Sequence, residues 1–340
     1  MSVSSSALTS NEAPRLVTIF GGSGFVGRHL VRAFAKQGWR VRVAVRRPDL
    51  AFHLQPLGGV GQIQAVQANL RYPASVASAV QGADLVINLV GLLTQSGRQS
   101  FEAVQVFGAR GVARAAAAAG VPALIHMSTI GADVNSASVA AASRGRGEAA
   151  VQEAFPAAMI TRASVIFGPE DTFFNRFATL ARILPALPLI GGGETKFQPV
   201  FVGDIAEAMV RLASGAGMPG TVYEFGGPEV ASFKSLMQFV LAQTERKRLL
   251  LPVPFAGARL MALATEILNT VSLGLLPPEF LTTRDQVTLL ETDNIVSPAA
   301  EALGHTLRGL GITPTAFEAV APAYLQRYRK GGEFDRTRVA

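Results

Sequence analysis

The stretch from Leu16 to Arg28 leaves a chain few ways to fold. Leu-Val-Thr-Ile-Phe is a short strand that runs directly into Gly21-Gly-Ser-Gly24-Phe-Val-Gly27, and an alanine-rich, periodic segment from Phe25 to Gln37 reads as the helix that follows. Glycine at three spaced positions serves a tight turn, a close approach of backbone to a pyrophosphate, and close packing of helix on strand. The helix N-terminus then presents N–H groups that have no acceptor within the helix. Gly21, Gly24, Phe25, Val26 and Gly27 are therefore the candidate pyrophosphate contacts. A glycine turn without a ligand is the competing reading; the apolar strand before it and the helix after it favour the nucleotide.

A second strand, Trp39 to Val45, alternates in polarity and ends at Arg46-Arg47-Pro48. In a dinucleotide fold this strand end faces the adenosine ribose, where an acidic residue binds the 2′-hydroxyl of NAD and repels a 2′-phosphate. Arginine grips phosphate bidentately, so Arg46 and Arg47 predict NADP(H) in preference to NAD(H). The alternative is a pair of solvated arginines at a strand end. The chain then alternates. A helix is expected near Leu50 to Leu57, a strand over Ile63 to Ala68 ending in Asn69-Leu70, a helix over Ala74 to Val80, and a strand over Leu85 to Val90 closed by Gly91. A long helix from Phe101 to Ala119 stops at Gly120 and Pro122, and a fifth strand, Ala123 to Met127, delivers Ser128 and Thr129 to its carboxyl end. This rhythm predicts βαβ units and a parallel, doubly wound sheet with ligands at the carboxyl ends of its strands. Asn69 is either an acceptor for the adenine amino group or a strand-end turn residue.

Composition narrows the functional classes. With no cysteine, disulfides, thiolate nucleophiles and cysteine-bearing metal sites are excluded, and His29, His53, His126 and His305 are too scattered to suggest a metal site. The net charge of +7, nearly all of it arginine, favours anionic partners: a phosphorylated cofactor, an acidic membrane surface or an acidic protein face. Basic residues are spread along the chain without a nucleic-acid-binding motif, so nucleic acid is not expected. Residues 1–13 are polar and serine-rich and read as a disordered lead rather than a signal peptide. No apolar run reaches the length of about eighteen residues that a membrane span needs.

These motifs resemble the short-chain dehydrogenase/reductase superfamily in its extended or atypical form. The resemblance rests on Gly21-x-x-Gly24-x-x-Gly27, Asn69-Leu70, Asn88-Leu-Val-Gly91, Ser128-Thr129, Arg162-Ala-Ser-x-Ile166-Phe-Gly-Pro169 and Gln198-Pro-Val-Phe-Val-Gly-Asp204. It implies a Rossmann-type domain and adds Leu70, Val90, Gly91, Ser128, Arg144 and Ile166 to the cofactor contacts. Active members carry a tyrosine four residues before a lysine, the first relaying a proton and the second lowering its pKa and holding the nicotinamide ribose. The family-like Gly147-Glu148 pair sets the register on an expected helix from Ser143 to Ala154, and puts Ala140 at the tyrosine position and Arg144 at the lysine position. None of Tyr72, Tyr223, Tyr324 and Tyr328 is followed four residues later by lysine, and no lysine occurs between positions 37 and 195. No catalytic acid is thus assigned; Glu170, Asp171 and Glu194 remain as replacements from the second half of the chain.

A closer resemblance is to one branch, the dehydrogenase-like, NADPH-binding accessory subunit of respiratory complex I and its bacterial relatives. It is carried by His53-Leu-x-Pro-Leu-Gly, Ala123-Leu-Ile-His-Met-Ser128, Gly147 to Pro156, Ile166 to Phe173 with Asn175-Arg-Phe177, Leu281-Thr-Thr-Arg-Asp-Gln-Val287, and Asp293-Asn294. It implies complex I subunits as partners, bound nucleotide without the usual turnover, and a peripheral position at the cytoplasmic face of the inner membrane. Beside it stand a working NADPH-dependent reductase, dehydratase or epimerase and a soluble cofactor-sensing regulator.

From Leu249 to Phe280 the chain is almost wholly apolar, next to the basic Glu245-Arg-Lys-Arg248. Residues 245–280 therefore suit either an anionic membrane surface or the interior of a second lobe. The expected organisation is a lead over 1–13, a nucleotide-binding domain over 14–170 with a returning strand near 221–226, a smaller, mainly helical lobe over 171–330 whose last amphipathic helix spans Thr315 to Tyr328, and a flexible tail over 331–340.

Overall fold

β1 (Leu16–Phe20) is buried along its whole length and runs into the glycine turn, from which α1 (Phe25–Lys36) returns to β2 (Arg40–Val45). The computed structural model describes residues 14–95, 97, 99–271 and 281–332. The expected lead over 1–13, the stretch 272–280 and residues 333–340 of the expected tail lie outside them. The alternation continues through β3 (Ile63–Gln67), α2 (Pro73–Val80), β4 (Leu85–Asn88), α3 (Ala109–Ala118), β5 (Ala123–Thr129), α4 (Val139–Ala154) and β6 (Met159–Ala163). Beyond them lie β7 (Ile166–Phe167), α5 (Phe174–Ile183), β8 (Ala186–Ile190), β9 (Lys196–Phe197), β10 (Val200–Phe201) and α6 (Val202–Arg211). β11 (Val222–Phe225) then comes back to pair in parallel with β6 at the sheet edge.

The main sheet has the order β11-β6-β5-β4-β1-β2-β3 and is parallel throughout, a doubly wound Rossmann-type arrangement as the alternation predicts. Strand order reverses between β1 and β4, which opens a crevice at their carboxyl ends. One face of the sheet buries Leu30, Val31 and Phe34 of α1 against Ile205 and Met209 of α6. The other buries Val76, Val80, Val112, Ala113 and Val151 from α2, α3 and α4. Two apolar layers account for the near-continuous hydrophobic strands, since a parallel sheet covered on both sides has no polar face.

The rest of the chain is mainly helical: β12 (Ala231–Ser232), α7 (Phe233–Gln243), β13 (Leu249–Val253), α8 (Phe255–Val271), α9 (Arg284–Leu289), α10 (Pro298–Ala302) and α11 (Phe317–Leu325). Its core is a phenylalanine cluster that includes Phe167, Phe174, Phe197, Phe233 and Phe317. Asn294 joins it to the sheet: its Nδ2 donates to the Ile130 carbonyl at 2.9 Å, and Oδ1 accepts from the Ser164 hydroxyl at 2.8 Å. Asp204 at the start of α6 likewise accepts from both the N–H and the hydroxyl of Thr315.

Several local expectations need correction. Leu50 to Leu57 forms 3₁₀ turns over Pro48–Leu50 and Phe52–Leu57 rather than an α-helix, because Pro56 lacks the N–H a helix would need. The helix expected from Phe101 opens with wide π turns over Glu102–Gly108, where Leu70 leans on Gly108. α4 starts at Val139 instead of Ser143, with Ser138 capping it through a bond accepted from the Ala141 N–H. The last helix is shorter than expected and ends in a 3₁₀ turn over Gln326–Tyr328.

α4 can approach the π turns because Gly147 has no side chain: a Cβ there would collide with the Gln105 carbonyl oxygen. Gly147→Ala is expected to destabilise the protein by about 1–3 kcal/mol, the range for overpacking a tight contact. Urea unfolding checks this through a lower midpoint at unchanged slope.

Candidate nucleotide-binding site

The glycine loop is shaped by its own backbone. Gly21 adopts φ +79°, its N–H donates to the Ala44 carbonyl at 3.1 Å, and its carbonyl accepts from the Gly24 N–H at 3.0 Å. A Cβ on Gly27 would strike the Gly21 carbonyl oxygen and lie 2.6 Å from the Gly22 backbone, so only glycine allows α1 to start this close to β1. α1 has no side-chain cap at Gly24 and no acidic residue in its first turn. The N–H groups of Phe25 and Val26 therefore meet no anion of the protein's own, which suits the positive helix end to a pyrophosphate. Gly21 also meets the neighbouring loop, since a Cβ there would be 3.4 Å from Cγ2 of Val90. Gly91, the next residue, is exposed with open space around it.

At the adenosine end the two arginines part company. Arg46 is exposed and, among the described residues, has no hydrogen-bond or ion-pair partner. Arg47 is forked onto Asp49, with Nη2 2.7 Å from Oδ2 and Nε 3.0 Å from Oδ1. The hydrogen bond from Arg47 holds the Asp49 carboxyl below its ordinary range. Of the two roles open to Asn69, the structure displays the turn: its Oδ1 accepts from the Arg71 N–H at 3.1 Å. Leu70 is half-buried against Gly108.

At the other end of the crevice, Ser128 lies buried in the last two residues of β5, and its Oγ has no hydrogen-bond partner. Neighbouring His126 is buried and neutral, its pKa lowered to about 4 by desolvation, and its Nδ1 takes the Nδ2 donor of Asn88 at 3.1 Å. Asn88 in turn fixes the β4 loop by accepting from the Val90 N–H. Ala140 is buried in the first turn of α4, and its N–H, with that of Val139 and the Ser138 hydroxyl, donates to Asp285. Arg144, one turn on, is half-buried and without a hydrogen-bond or ion-pair partner among the described residues. Burial lowers its pKa, opposed by attraction from Asp285. Ile166 in β7 pairs with Val200, and Gly168 just after it packs on the Phe25 ring of α1.

Two of the three candidate replacement acids, Asp171 and Glu170, are held by partners. Asp171 is buried and accepts from the Tyr324 hydroxyl at 2.6 Å and from the Gly168 and Asn175 N–H groups. Glu170 pairs with Arg28 at 3.3 Å and lies 3.6 Å from His29. Glu194 is exposed beside the Gly191–Gly193 turn. The Gly147-Glu148 motif proves structural: Glu148 is buried and takes a fork of hydrogen bonds from Arg162, the shorter at 2.6 Å. Sequence reasoning missed Asp285 and Asp49 as partners; the first sits within an idiosyncratic motif and the second just beyond the strand end. Among the described residues no cluster of His, Asp and Glu could hold a metal ion.

The sheet reversal, the glycine cradle, the uncapped helix and the orphan Ser128 hydroxyl fit a dinucleotide, and define a nucleotide-binding protein of the extended short-chain dehydrogenase/reductase type. Residues 21–165 match a family model described as NAD(P)H-binding. The chain is 33% identical over 321 residues, 93% of its length and 79% of the relative's, to the NADH dehydrogenase (ubiquinone) 1 alpha subcomplex subunit 9, mitochondrial, of Arabidopsis thaliana. The chain belongs to the family of that subunit. It is also 36% identical over 201 residues, 59% of this chain and 62% of the relative, to the ceramide reductase of Caulobacter vibrioides. The solved triphenylmethane reductase of Citrobacter sp. shares the fold, with TM-score 0.69, 16% identity, and coverage of 91% of this chain and 99% of that one.

Two measurements check this geometry. Gly27→Ala is expected to weaken NAD(P)(H) binding by roughly tenfold or more, about 1.4 kcal/mol, in a titration of the folded variant. His126 takes up its proton in the unfolded chain near its ordinary value of 6.5 but in the folded protein only near about 4. The unfolded state therefore binds more protons in that window, and urea titrations should show its share of stability being lost as pH falls from about 6.5 to about 4.

Proposed function

We propose that this protein binds NADP(H) without turning it over and acts as an accessory subunit of respiratory complex I, attached peripherally at the cytoplasmic face of the membrane. One observation carries the reading: the nucleotide cradle is intact while position 140, where the resembled enzymes place their proton relay, is a buried alanine whose N–H is held by Asp285. Arg144 is permanently charged, which fits it for binding and makes it a poor proton relay. Family membership supports complex I as the assembly, because the Arabidopsis relative bears the name of an NADH dehydrogenase subunit.

The preference for NADP(H) rests on Arg46, exposed and unpartnered at the end of β2. Membrane attachment rests on α8, which is built inside out: Ala258 and Ala262 face the protein, while Leu260, Leu263, Ile267 and Leu268 are exposed, Leu260 at 69%. Leu249 and Leu251 of β13 and Ile183 of α5 are exposed as well. The neighbouring cations Arg182 and Arg248 lower the pKa of Arg246 after desolvation does, which supports a clustered positive charge suited to anionic headgroups. No helix among the described residues is long and apolar enough to cross a membrane.

A second reading, an active NADPH-dependent reductase, is favoured by the similarity to a ceramide reductase and by the retained Ser128 hydroxyl. NADPH oxidation with carbonyl substrates that Ser128→Ala abolishes would establish it over the first.

Two experiments test the first reading. Arg46→Ala should weaken NADP(H) roughly tenfold and leave NAD(H) nearly unchanged, as loss of a charged phosphate contact requires, whereas Arg47→Ala, whose guanidinium is held by Asp49, should change affinity by less than about threefold. Native gels of solubilised membranes should show the protein comigrating with complex I, and Leu260→Glu with Ile267→Glu should release it. Absence of comigration together with normal complex I assembly in a deletion strain overturns the subunit reading.

A further inference from the structure

We propose that the junction where α5, α7 and α11 end is a binding site for the phosphate of an anionic phospholipid, held by the guanidinium groups of Arg182, Arg246 and Arg248 together with the Lys247 ammonium. The inference rests on the membrane-attachment reading above and adds the headgroup chemistry that the attached face selects.

The site is assembled from helix ends. α7 closes in a turn where the Arg246 N–H donates to the Leu241 carbonyl at 3.0 Å and the Glu245 N–H to the Ala242 carbonyl at 3.2 Å. Glu245 takes the left-handed conformation at the position where glycine is usual, φ +52°, and is the one non-glycine residue with positive φ among the described residues. The turn sets Arg246, Lys247 and Arg248 against two other helix ends. Arg246 Nε donates to the Tyr328 carbonyl just beyond α11 at 3.0 Å, and Arg248 Nε to the Ala181 carbonyl in the last turn of α5 at 2.8 Å. Arg329 Nε in turn donates to the Gln243 carbonyl at the end of α7 at 2.9 Å. Carbonyls that helix C-termini leave without intrahelical partners are thus satisfied through Nε.

The outer ends of these arginines remain open. Both Nη groups of Arg246 and Nη2 of Arg248 have no partner among the described residues, and the exposed side chains of Lys247 and of Arg182, which follows Ala181, have none either. Glu245, the acid carried by the same turn, pairs with Arg329 at 3.6 Å. Desolvation, and then the charges of Arg248 and Arg182, lower the pKa of Arg246, as crowded cations do. Guanidinium forks match the oxygens of a phosphate. A lipid phosphate fits better than a free one because apolar side chains begin one residue away: Leu249, directly after Arg248, is 69% exposed, and Ile183, directly after Arg182, is 60% exposed. The Leu249 N–H donates to the Pro185 carbonyl at 3.4 Å, so the two segments lie side by side, and exposed Leu251 continues the apolar surface along β13. Cations with leucine and isoleucine immediately beyond them match a charged headgroup with its acyl chains behind it.

The test is co-sedimentation of the full-length protein with vesicles of phosphatidylcholine alone and of phosphatidylcholine mixed with phosphatidylglycerol. The parent is expected to bind the mixed vesicles about tenfold or more tightly than the neutral ones. Arg182→Gln with Lys247→Gln removes two side chains that hold nothing in the fold, and should lower that affinity about tenfold or more, at about fivefold for each cation. Arg32→Gln with Arg40→Gln takes the same charge from exposed positions of the nucleotide-binding domain and should change it by less than about twofold. An equal loss in both double variants marks diffuse charge and overturns the site, and displacement by soluble glycerol 3-phosphate at equal phosphate concentration assigns a free phosphate in place of the lipid. If Arg182→Gln with Lys247→Gln binds vesicles as the parent does but no longer comigrates with complex I, the cluster serves an acidic protein face and the proposal falls. Equal binding of both vesicles by the parent removes the headgroup site and leaves apolar attachment standing, whereas a parent that binds neither overturns the membrane-attachment reading itself.

Discussion

The rest of the structure depends on one close approach, that of the start of α1 to the backbone of the glycine loop. Because Gly27 has no Cβ to strike the Gly21 carbonyl, α1 begins directly behind β1 and its unpaired N–H groups point into the crevice between β1 and β4. The same turn brings Gly21 against Val90 and Phe25 against Gly168, so the two sides of the crevice and the segment that leads into the second lobe are all referenced to one piece of backbone. A larger residue at 27 would displace the helix, and with it the floor of the site and the Arg28–Glu170 pair on its flank.

Legibility in the sequence tracked how local the physics was. β1, α1 and the parallel, doubly wound sheet were readable because glycine spacing and apolar runs are properties of neighbouring residues, and the resemblance to a complex I subunit was readable from short motifs. Partnerships across long stretches of sequence were not. Nothing near Arg47 distinguishes it from Arg46 except Asp49, and the choice between them is made by side-chain geometry. Asp285 is remote in sequence from the helix it caps, and the bonds it accepts from Val139 and Ala140 became visible only when α9 was placed against the start of α4. The 3₁₀ turns around Pro56 were foreshadowed by the proline, whereas the π turns before α3 reflect packing of Leu70 and Gln105 that no periodicity reports.

Motifs that look catalytic by position turn out to be mechanical. Glu148 and Arg162 form a buried fork that ties α4 to β6, and Glu224 extends it to the N-terminus of α10 by accepting from the Ser297 N–H. Asn294 bonds both the loop after β5 and Ser164 after β6, and Asp171 with Tyr324 anchors α11 to the segment beyond β7. Removing one partner of such a buried network leaves the other unsatisfied, which is costlier than the net worth of the bond itself. Selection on folding alone would therefore preserve these residues whether or not hydride chemistry continues.

Structure and chemistry separate at position 140. Gly145 and Gly147 let α4 pack closely on its neighbours, and the Glu148 carboxylate ties it to Arg162 of β6. What the crevice offers a nicotinamide is nevertheless a hydroxyl and a permanent cation, Ser128 and Arg144, and neither titrates near neutrality. His126, the nearest residue of a type that does, is buried, neutral and bonded to Asn88. A site with this set can orient a nucleotide and hold it. The cradle around Gly21 is built by the turn between β1 and α1, whereas positions 140 and 144 lie on α4, so the shape of the cradle does not depend on which residue stands at position 140.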